Sequence, residues 1–373
     1  MKKKIVQLIP RLSFGGAEVF CIQLSNELAK NPDHEVTLIS MYDHGEGMLP
    51  LSRISDKVQF ISLGKKSGPD VSIPLKLFKA LEKIQPDVVH THMHTLYYSL
   101  YAFKKLKKNI KRIHTLHNLA KKESWWIVRQ LYQNYFRKKY IIPVSISEEV
   151  LITAKKIYGN GANELIHNGS IPITKSPMYE DAREKIDSLK NNPETKVFIN
   201  VARITKQKNQ KLLLESMAAL YAEGKNVIAV ILGDCLPVDQ GIYDQLQSIK
   251  PPNVYFLGKV DNIGDYLFQS DAFVLSSFYE GLPISLLESL SVGLVPVCTP
   301  VGGVKDVVKE SIGFLSGDVS AVSFTDTLKK FMSASQIEVN MKRAACKLLF
   351  QNEFSMEQCT TKYEKLYYNQ SFN

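Results

Sequence analysis

The segment Phe278-Tyr279-Glu280-Gly281-Leu282-Pro283-Ile284-Ser285-Leu286-Leu287-Glu288 places one carboxylate in a Gly/Pro turn and another inside an otherwise apolar helix. A carboxylate such as Glu288, set among Leu286, Leu287 and Leu290, is rarely buried alone; its partner is a hydroxyl-bearing ligand or a basic side chain. Upstream, Arg203 follows the run Phe198-Ile199-Asn200-Val201-Ala202 and precedes Lys206, Lys208 and Lys211 at the start of a helix. Cations at a strand's carboxyl end, beside a helix N-terminus, are placed to hold a diphosphate. The plainer alternative is a solvated basic turn. No Asp-x-Asp occurs in the chain, so a nucleotide diphosphate would need fixed cations here instead of a carboxylate-bound metal.

Three further groups invite chemistry. Gly15-Gly16-Ala17-Glu18 follows the first apolar run and opens a helix through Phe20, Leu24 and Leu28, where backbone N–H groups can approach an anion. It lacks the full Gly-x-Gly-x-x-Gly of a dinucleotide site, and tight-turn glycines without a ligand explain it as well. His90, His92 and His94 alternate at a strand end, which makes a metal site conceivable, yet neighbouring strand residues rarely converge on one ion without an added carboxylate or cysteine. Lining of a cleft by one of them is the preferred reading. Lys104, Lys105, Lys107, Lys108, Lys111 and Arg112, then Trp125-Trp126, then Arg137-Lys138-Lys139 flank Val128, Leu131, Tyr132, Tyr135 and Phe136 at helical spacing. That pattern suits a helix lying on an anionic membrane, and equally a buried helix with solvated lysines.

The elements that must position these groups alternate between short β-rich runs and longer helical patterns, the signature of parallel α/β architecture. Strands are expected at 4–10, 35–41, 58–63, 87–92, 112–116 and 140–144, and again at 196–202, 226–232, 254–257, 272–276 and 295–299. The expected organisation is a first Rossmann-like domain over 1–170, a linker over 171–195 carrying Pro172, Pro177 and a charged helix, a second Rossmann-like domain over 196–350, and a closing helix over 351–373 returning to the first. Two doubly wound domains facing each other would form a cleft at the carboxyl ends of both sheets. All the motifs above sit at strand ends.

A length of 373 residues calls for two cores, and 45% hydrophobic with 23% charged residues fits an ordinary globular chain, excluding disorder. Five scattered cysteines with no Cys-x-x-Cys argue against a disulfide framework or zinc ribbon and for a reducing, cytoplasmic setting. Pro10 and Arg11 cut short the apolar run after Met1-Lys2-Lys3-Lys4, so it reads as a buried strand and not a signal peptide. No apolar stretch approaches the ~18 residues of a membrane span. A net charge of +10 implies an anionic partner: phosphate ligands, nucleic acid or a membrane face. Nucleic acid suits it less, because no recognised module accompanies the charge.

Glu280 to Glu288 reads as an E-x7-E motif. Together with the glycine loop, Arg203, Lys208 and Gly302-Gly303, it resembles the retaining family 4 glycosyltransferases of GT-B fold. The likeness spans nearly the whole chain and is densest over 197–306. It implies two facing Rossmann-like domains and transfer of a sugar from a nucleotide-diphosphate sugar, UDP being the first choice of base, to a glycan or lipid-linked acceptor in surface polysaccharide synthesis. It also implies that no metal or other cofactor is needed. Gly15 and Gly16 would then make backbone anion contacts, Arg203 and Lys208 clamp the diphosphate, and Glu288 accept ribose hydroxyls. Glu280, His117 and the turn residues Gly281, Leu282 and Ile284 would lie against the donor sugar. Pro283 has no N–H to offer where many members have glycine. Val304-Lys305-Asp306 departs from relatives that end this motif with glutamate. A nucleotide-sugar epimerase and a catalytically silent nucleotide-sugar binder are the rivals, and His117 also admits a plain core role.

Overall fold

The structure, a computed structural model, describes residues 2–45, 47–106, 109–123 and 125–369. Lys107 and Lys108 of the basic stretch lie outside the described residues. The chain divides into two compact units, Met1–Ser170 with Phe354–Asn373, and Ile171–Glu353.

The first unit is a seven-stranded parallel sheet ordered β3-β2-β1-β4-β5-β6-β7. Its strands are β1 (Lys3–Ile9), β2 (His34–Ser40), β3 (Val58–Ser62), β4 (Val88–His92), β5 (Lys111–Leu116), β6 (Ile142–Ser145) and β7 (Glu164–Leu165). The second is six-stranded, β10-β9-β8-β11-β12-β13. It comprises β8 (Lys196–Val201), β9 (Val227–Leu232), β10 (Val254–Gly258), β11 (Ala272–Leu275), β12 (Val295–Cys298) and β13 (Phe314–Leu315). The central strands are near-continuous apolar runs because helices cover both faces of such sheets; all six residues of β9 are buried. Each order reverses direction once, between β1 and β4 and between β8 and β11, and open α/β sheets bind ligands outside such reversals. The edge strands β7 and β13, two residues each, escape a reading based on periodicity because they are too short to have one.

Seven helices matter below: α1 (Gly16–Leu28), α2 (Thr95–Lys105), α3 (Trp126–Arg137), α4 (Tyr179–Leu189), α5 (Gln210–Ala222), α6 (Ile284–Ser291) and α7 (Met356–Tyr368). Residues 171–195, expected as a linker, are built into the second unit. The α4 helix buries Ala182 and Ile186, and before it Ser176 donates through its N–H and its hydroxyl to Asp265, at 2.9 and 2.5 Å. The chain leaves the first unit at Ser170 and comes back beside that point, where Ser170 and Met356 are tied by Ser170 N to Phe354 O at 2.9 Å and Met356 N to Ser170 O at 2.8 Å.

The α7 helix completes the first unit's core with Met356, Cys359, Tyr363, Leu366 and Tyr367. Each large apolar side chain so buried contributes about 1.5–3 kcal/mol. Its two buried tyrosines also satisfy buried polar groups: Gln7 Nε2 donates to the Tyr367 hydroxyl at 2.9 Å, that hydroxyl donates to His90 Nδ1 at 2.7 Å, and the Tyr363 and Thr115 hydroxyls are 2.9 Å apart. Tyr367→Phe keeps the ring but leaves Gln7 and His90 without their shared partner, which should cost about 1–3 kcal/mol in urea unfolding. A loss within ~0.3 kcal/mol of zero would mean that water satisfies both groups without the helix.

Candidate active site

In the second unit, three loops follow adjacent strands at the point where the sheet reverses: 202–209 after β8, 276–283 after β11 and 299–303 after β12. Side chains and backbone lace them together. Phe278 N donates to Gln207 O at 2.9 Å, Gln207 Nε2 to Tyr279 O at 2.9 Å, and Ser276 Oγ to Asn209 O at 3.0 Å. The third loop is joined by Thr299 Oγ1 donating to Ser277 O at 2.8 Å and Gly303 N donating to Gly281 O at 2.7 Å. Gly302 has φ +51°, and a Cβ there would sit 2.7 Å from the Glu280 carbonyl carbon, so the loop passes too close to the Glu280 turn for any side chain.

This lacing holds Glu280, which is buried at 4% exposure. Its Oε1 accepts from Lys208 Nζ at 2.7 Å and from Ser277 Oγ at 2.5 Å, whereas Oε2 has only a long contact of 3.4 Å from Gln207 Nε2. One carboxylate oxygen is saturated and the other retains capacity for a ligand hydroxyl. Lys208, named with Arg203 as a diphosphate cation, therefore stands in an ion pair with the very carboxylate named for the sugar. Arg203 is exposed, and among the described residues no carboxylate pairs with it; its carbonyl accepts from Gln210 Nε2 at 2.9 Å. Lys206 is exposed too. Glu288 lies half-buried in α6, Leu282 and Ile284 are buried around the α6 N-terminus, and Gly281 is buried in the turn. Gln207 and Ser277, which fix Glu280, escaped the sequence reading; the one signal available was their position at strand ends beside residues already singled out.

In the first unit, Gly15 is the N-cap of α1. A Cβ on it would meet the Glu18 carboxylate, which is buried, folds back over the glycine and accepts from Ser13 Oγ. An anion thus already occupies the start of this helix, supplied by the chain itself. Gly16 is exposed.

His117 follows β5 and joins the network under α7. Its Nε2 lies 2.9 Å from His92 Nδ1, and His92 Nε2 lies 2.8 Å from Gln7 Oε1. A carbonyl oxygen only accepts, so His92 carries its proton on Nε2 and its Nδ1 accepts from His117 Nε2–H. His90 is consumed by Tyr367 and by Thr115 Oγ1 at 2.6 Å, so two of the three rings suspected of holding a metal, His90 and His92, are spent on hydrogen bonds within the fold. His94 occupies the N-cap position of α2, its ring packed on Tyr98 and making no capping bond. Among the described residues, no group of three or more His, Cys, Asp or Glu is placed to hold a metal.

Burial keeps these rings neutral. It holds His114 and His117 at about 3, with the two rings also opposing each other's charge in His117, and pushes His90 and His92 well below the ordinary value. Burial moves Glu123 the other way, up to about 7, against the backbone N–H groups of His117 and Asn118 that favour its charged form.

The α3 helix buries Tyr132 and Phe136 and turns outward Trp126, Ile127 and Leu131, next to the exposed Trp125. The apolar spacing that fitted both a membrane-lying and a buried helix is thus divided between two faces.

Two doubly wound parallel units, each with its chemistry-bearing loops at the reversal of its sheet, define the GT-B architecture. The fold superposes on that of a glycosyltransferase from Rickettsia africae with a TM-score of 0.83 and 19% identity, covering 99% of this chain and 100% of that one. HepE from Anabaena, solved with UDP and glucose, gives 0.81 at 16% identity over 99% and 100%. In sequence, the UDP-Gal:alpha-D-GlcNAc-diphosphoundecaprenol alpha-1,3-galactosyltransferase of Escherichia coli is 27% identical over 99% of this chain and 97% of its own length. Residues 14–169 match the model for Glycosyltransferase Family 4, and residues 181–348 match that for Glycosyl transferases group 1. The chain belongs to the family 4 glycosyltransferases.

Two outcomes follow from the geometry. Gly302→Ala, strained at a left-handed φ and driven into the Glu280 carbonyl, should lower stability by more than about 1 kcal/mol and cut turnover together; full activity would mean that the loop relaxes freely. For pH, the four depressed histidines contribute stability that is present above pH 6.5 and lost as pH falls, for His114 and His117 down to about 3. Glu123, raised, contributes stability present below pH 4.5 and lost as pH rises through 7. Between pH 6.5 and 4.5 His114 and His117 alone outnumber it by one proton, so stability should fall by at least about 1.4 kcal/mol per pH unit as the pH drops, with His90 and His92 acting in the same direction. Urea midpoints measured at pH 7.5, 6.5 and 5.5 test this, and a flat profile would show that the rings are charged in the folded unit.

Proposed function

We propose that this enzyme transfers a sugar, with retention of anomeric configuration and without a metal, from a UDP-sugar to a lipid-linked or glycan acceptor in surface polysaccharide assembly. The observation that carries this reading is the buried Glu280 held by Lys208 and Ser277, with the unpaired cation of Arg203 on the neighbouring loop. Glu280 Oε2 is suited to accept a donor-sugar hydroxyl. Arg203, with Lys208 sharing its charge between Glu280 and the ligand, balances the diphosphate. Glu288 takes the ribose hydroxyls, and the backbone amides of Leu282 and Ile284 at the start of α6 face the sugar.

The reaction is a front-side displacement. The bond from the anomeric carbon to the diphosphate oxygen breaks, that oxygen accepts the proton of the acceptor hydroxyl, and the new glycosidic bond forms on the same face. Fixed cations stabilise the charge that develops on the leaving group, and His117, neutral and held by His92, contacts sugar and acceptor. Support for UDP comes from the Anabaena fold relative solved with UDP, and support for a lipid-linked acceptor from the Escherichia coli relative, whose name specifies a diphosphoundecaprenol substrate. No helix among the described residues is long and apolar enough to cross a membrane. The exposed face of α3, with Trp125 at 84% and Trp126 at 67% exposure beside Lys121, Lys122 and Arg129, suits peripheral attachment to an anionic bilayer where such an acceptor resides.

Arg203→Ala should lower turnover about 100- to 1,000-fold, whereas Lys206→Ala should leave it nearly intact. Turnover should also persist in excess chelator. Equal activity of the two variants removes Arg203 from the clamp, and activity abolished by chelator and restored by manganese removes the metal-free mechanism. An isomerised nucleotide sugar formed without acceptor would replace transfer by epimerisation.

A further inference from the structure

The carboxyl ends of β1, β2, β3 and β4 in the first unit are followed by Arg11, Tyr42, Lys65 and His94, a cluster that plays no part in donor binding as described above. Lys65 is only 7% exposed, and its ammonium donates to the Tyr42 hydroxyl at 3.1 Å, to Lys66 O at 3.0 Å and to Gly68 O at 2.5 Å. Those acceptors are neutral. The Arg11 guanidinium lies over the Tyr42 ring, 4.3 Å from its centre. Among the described residues no carboxylate pairs with either cation; nearby Asp70 is occupied by Lys66 N, Ser72 N and Ser72 Oγ, and Asp43 accepts from Ser62 Oγ. A buried ammonium without a counter-charge is costly unless an anion completes it.

The donors point to what that anion is. The Tyr42 oxygen accepts from Lys65, so its own O–H is free to be donated to a ligand. The hydrogen bond from Lys65, with the positive charge of Arg11 over the ring, holds the phenol below its usual range, which makes it a stronger donor. Arg11, exposed, keeps further N–H groups for a ligand. His94, kept neutral by burial and by the charges of Lys65 and Arg11, packs at 6.4 Å on Tyr98, and Lys65 lies 5.7 Å from that ring. The loop bearing Lys65 is itself fixed, with Lys65 N donating to Met41 O at 2.8 Å.

We propose that Arg11, Tyr42 and Lys65 form a phosphate subsite for the acceptor, holding the diphosphate that joins its sugar to its lipid, with Tyr98 and His94 beside the adjoining sugar. The assignment rests on the reading of the enzyme as a transferase acting on a lipid-linked acceptor. It predicts an anion site independent of the nucleotide.

The test uses the intact protein saturated with UDP, so that the donor clamp is filled, and measures binding of inorganic pyrophosphate, of farnesyl diphosphate and of phosphatidylglycerol vesicles by calorimetry and sedimentation. Arg11→Gln, at an exposed position, should weaken both soluble diphosphates about tenfold. Tyr42→Phe should weaken them severalfold, and both variants should keep the wild-type affinity for UDP. Absence of pyrophosphate binding to the UDP-loaded wild type, unchanged affinity in Arg11→Gln, or an effect of that variant on the vesicles alone would each overturn the subsite, the last by assigning the charge to the bilayer. If UDP itself fails to bind while Arg11-dependent diphosphate binding stands, the donor reading falls and the subsite survives.

Discussion

The ion pair between Lys208 and Glu280 is the constraint around which the second unit's loops are arranged. Both groups have left bulk water, and an isolated buried carboxylate would cost several kcal/mol, so each loop that meets the pair must either satisfy it or shield it. The β8 loop supplies Lys208 and Gln207, the β11 loop supplies Glu280 and Ser277, and the β12 loop contributes no charge but closes over the turn with a backbone that tolerates no Cβ. Removing either charged partner leaves the other stranded. The pair also divides labour between two oxygens of one carboxylate: the fold spends Oε1 on Lys208 and Ser277, and Oε2 keeps only the long contact from Gln207.

The first unit solves a related problem without charge. Its polar core of Gln7, His90, His92, Thr115, Tyr363 and Tyr367 is buried, and the protons of Tyr367, His90 and His92 have assigned places once the Gln7 amide is oriented. Neutral rings avoid the desolvation that charged ones would suffer, and His117 inherits a defined tautomer at the end of that chain. The two units thus position Glu280 and His117 by different physics, an ion pair in one and a directional hydrogen-bond chain in the other.

Much of the fold was legible because parallel strands covered on both faces read as apolar runs, and eleven of the strands lie where those runs lie. The glutamate pair, the basic turn and the paired glycines were legible as residue types at strand ends. Pairings across the sequence were not. Nothing local in Lys208 indicates that its ammonium is bound to Glu280 and not free, and nothing in Gly15 shows that Glu18 folds over it. The same holds for His90 and His92, whose alternation fits a metal as well as a tyrosine supplied from more than 270 positions away, a separation set only when α7 docks. The segment 171–195 looked like a linker because its apolar content is low, yet Ala182 and Ile186 suffice to seat α4.

The return of α7 to the first unit has a consequence for synthesis on the ribosome. Gln7 and His90 are made early, but the tyrosine that satisfies them is made only after the whole of Ile171–Glu353. At ordinary elongation rates the incomplete sheet waits roughly 10–40 s with its polar core unanswered, while the second unit has all its own strands and can fold first. Vectorial synthesis therefore inverts the order in which the halves mature. A nascent chain that stalls or is cut before residue 356 carries a finished second unit joined to a first unit whose buried polar groups still lack their partners.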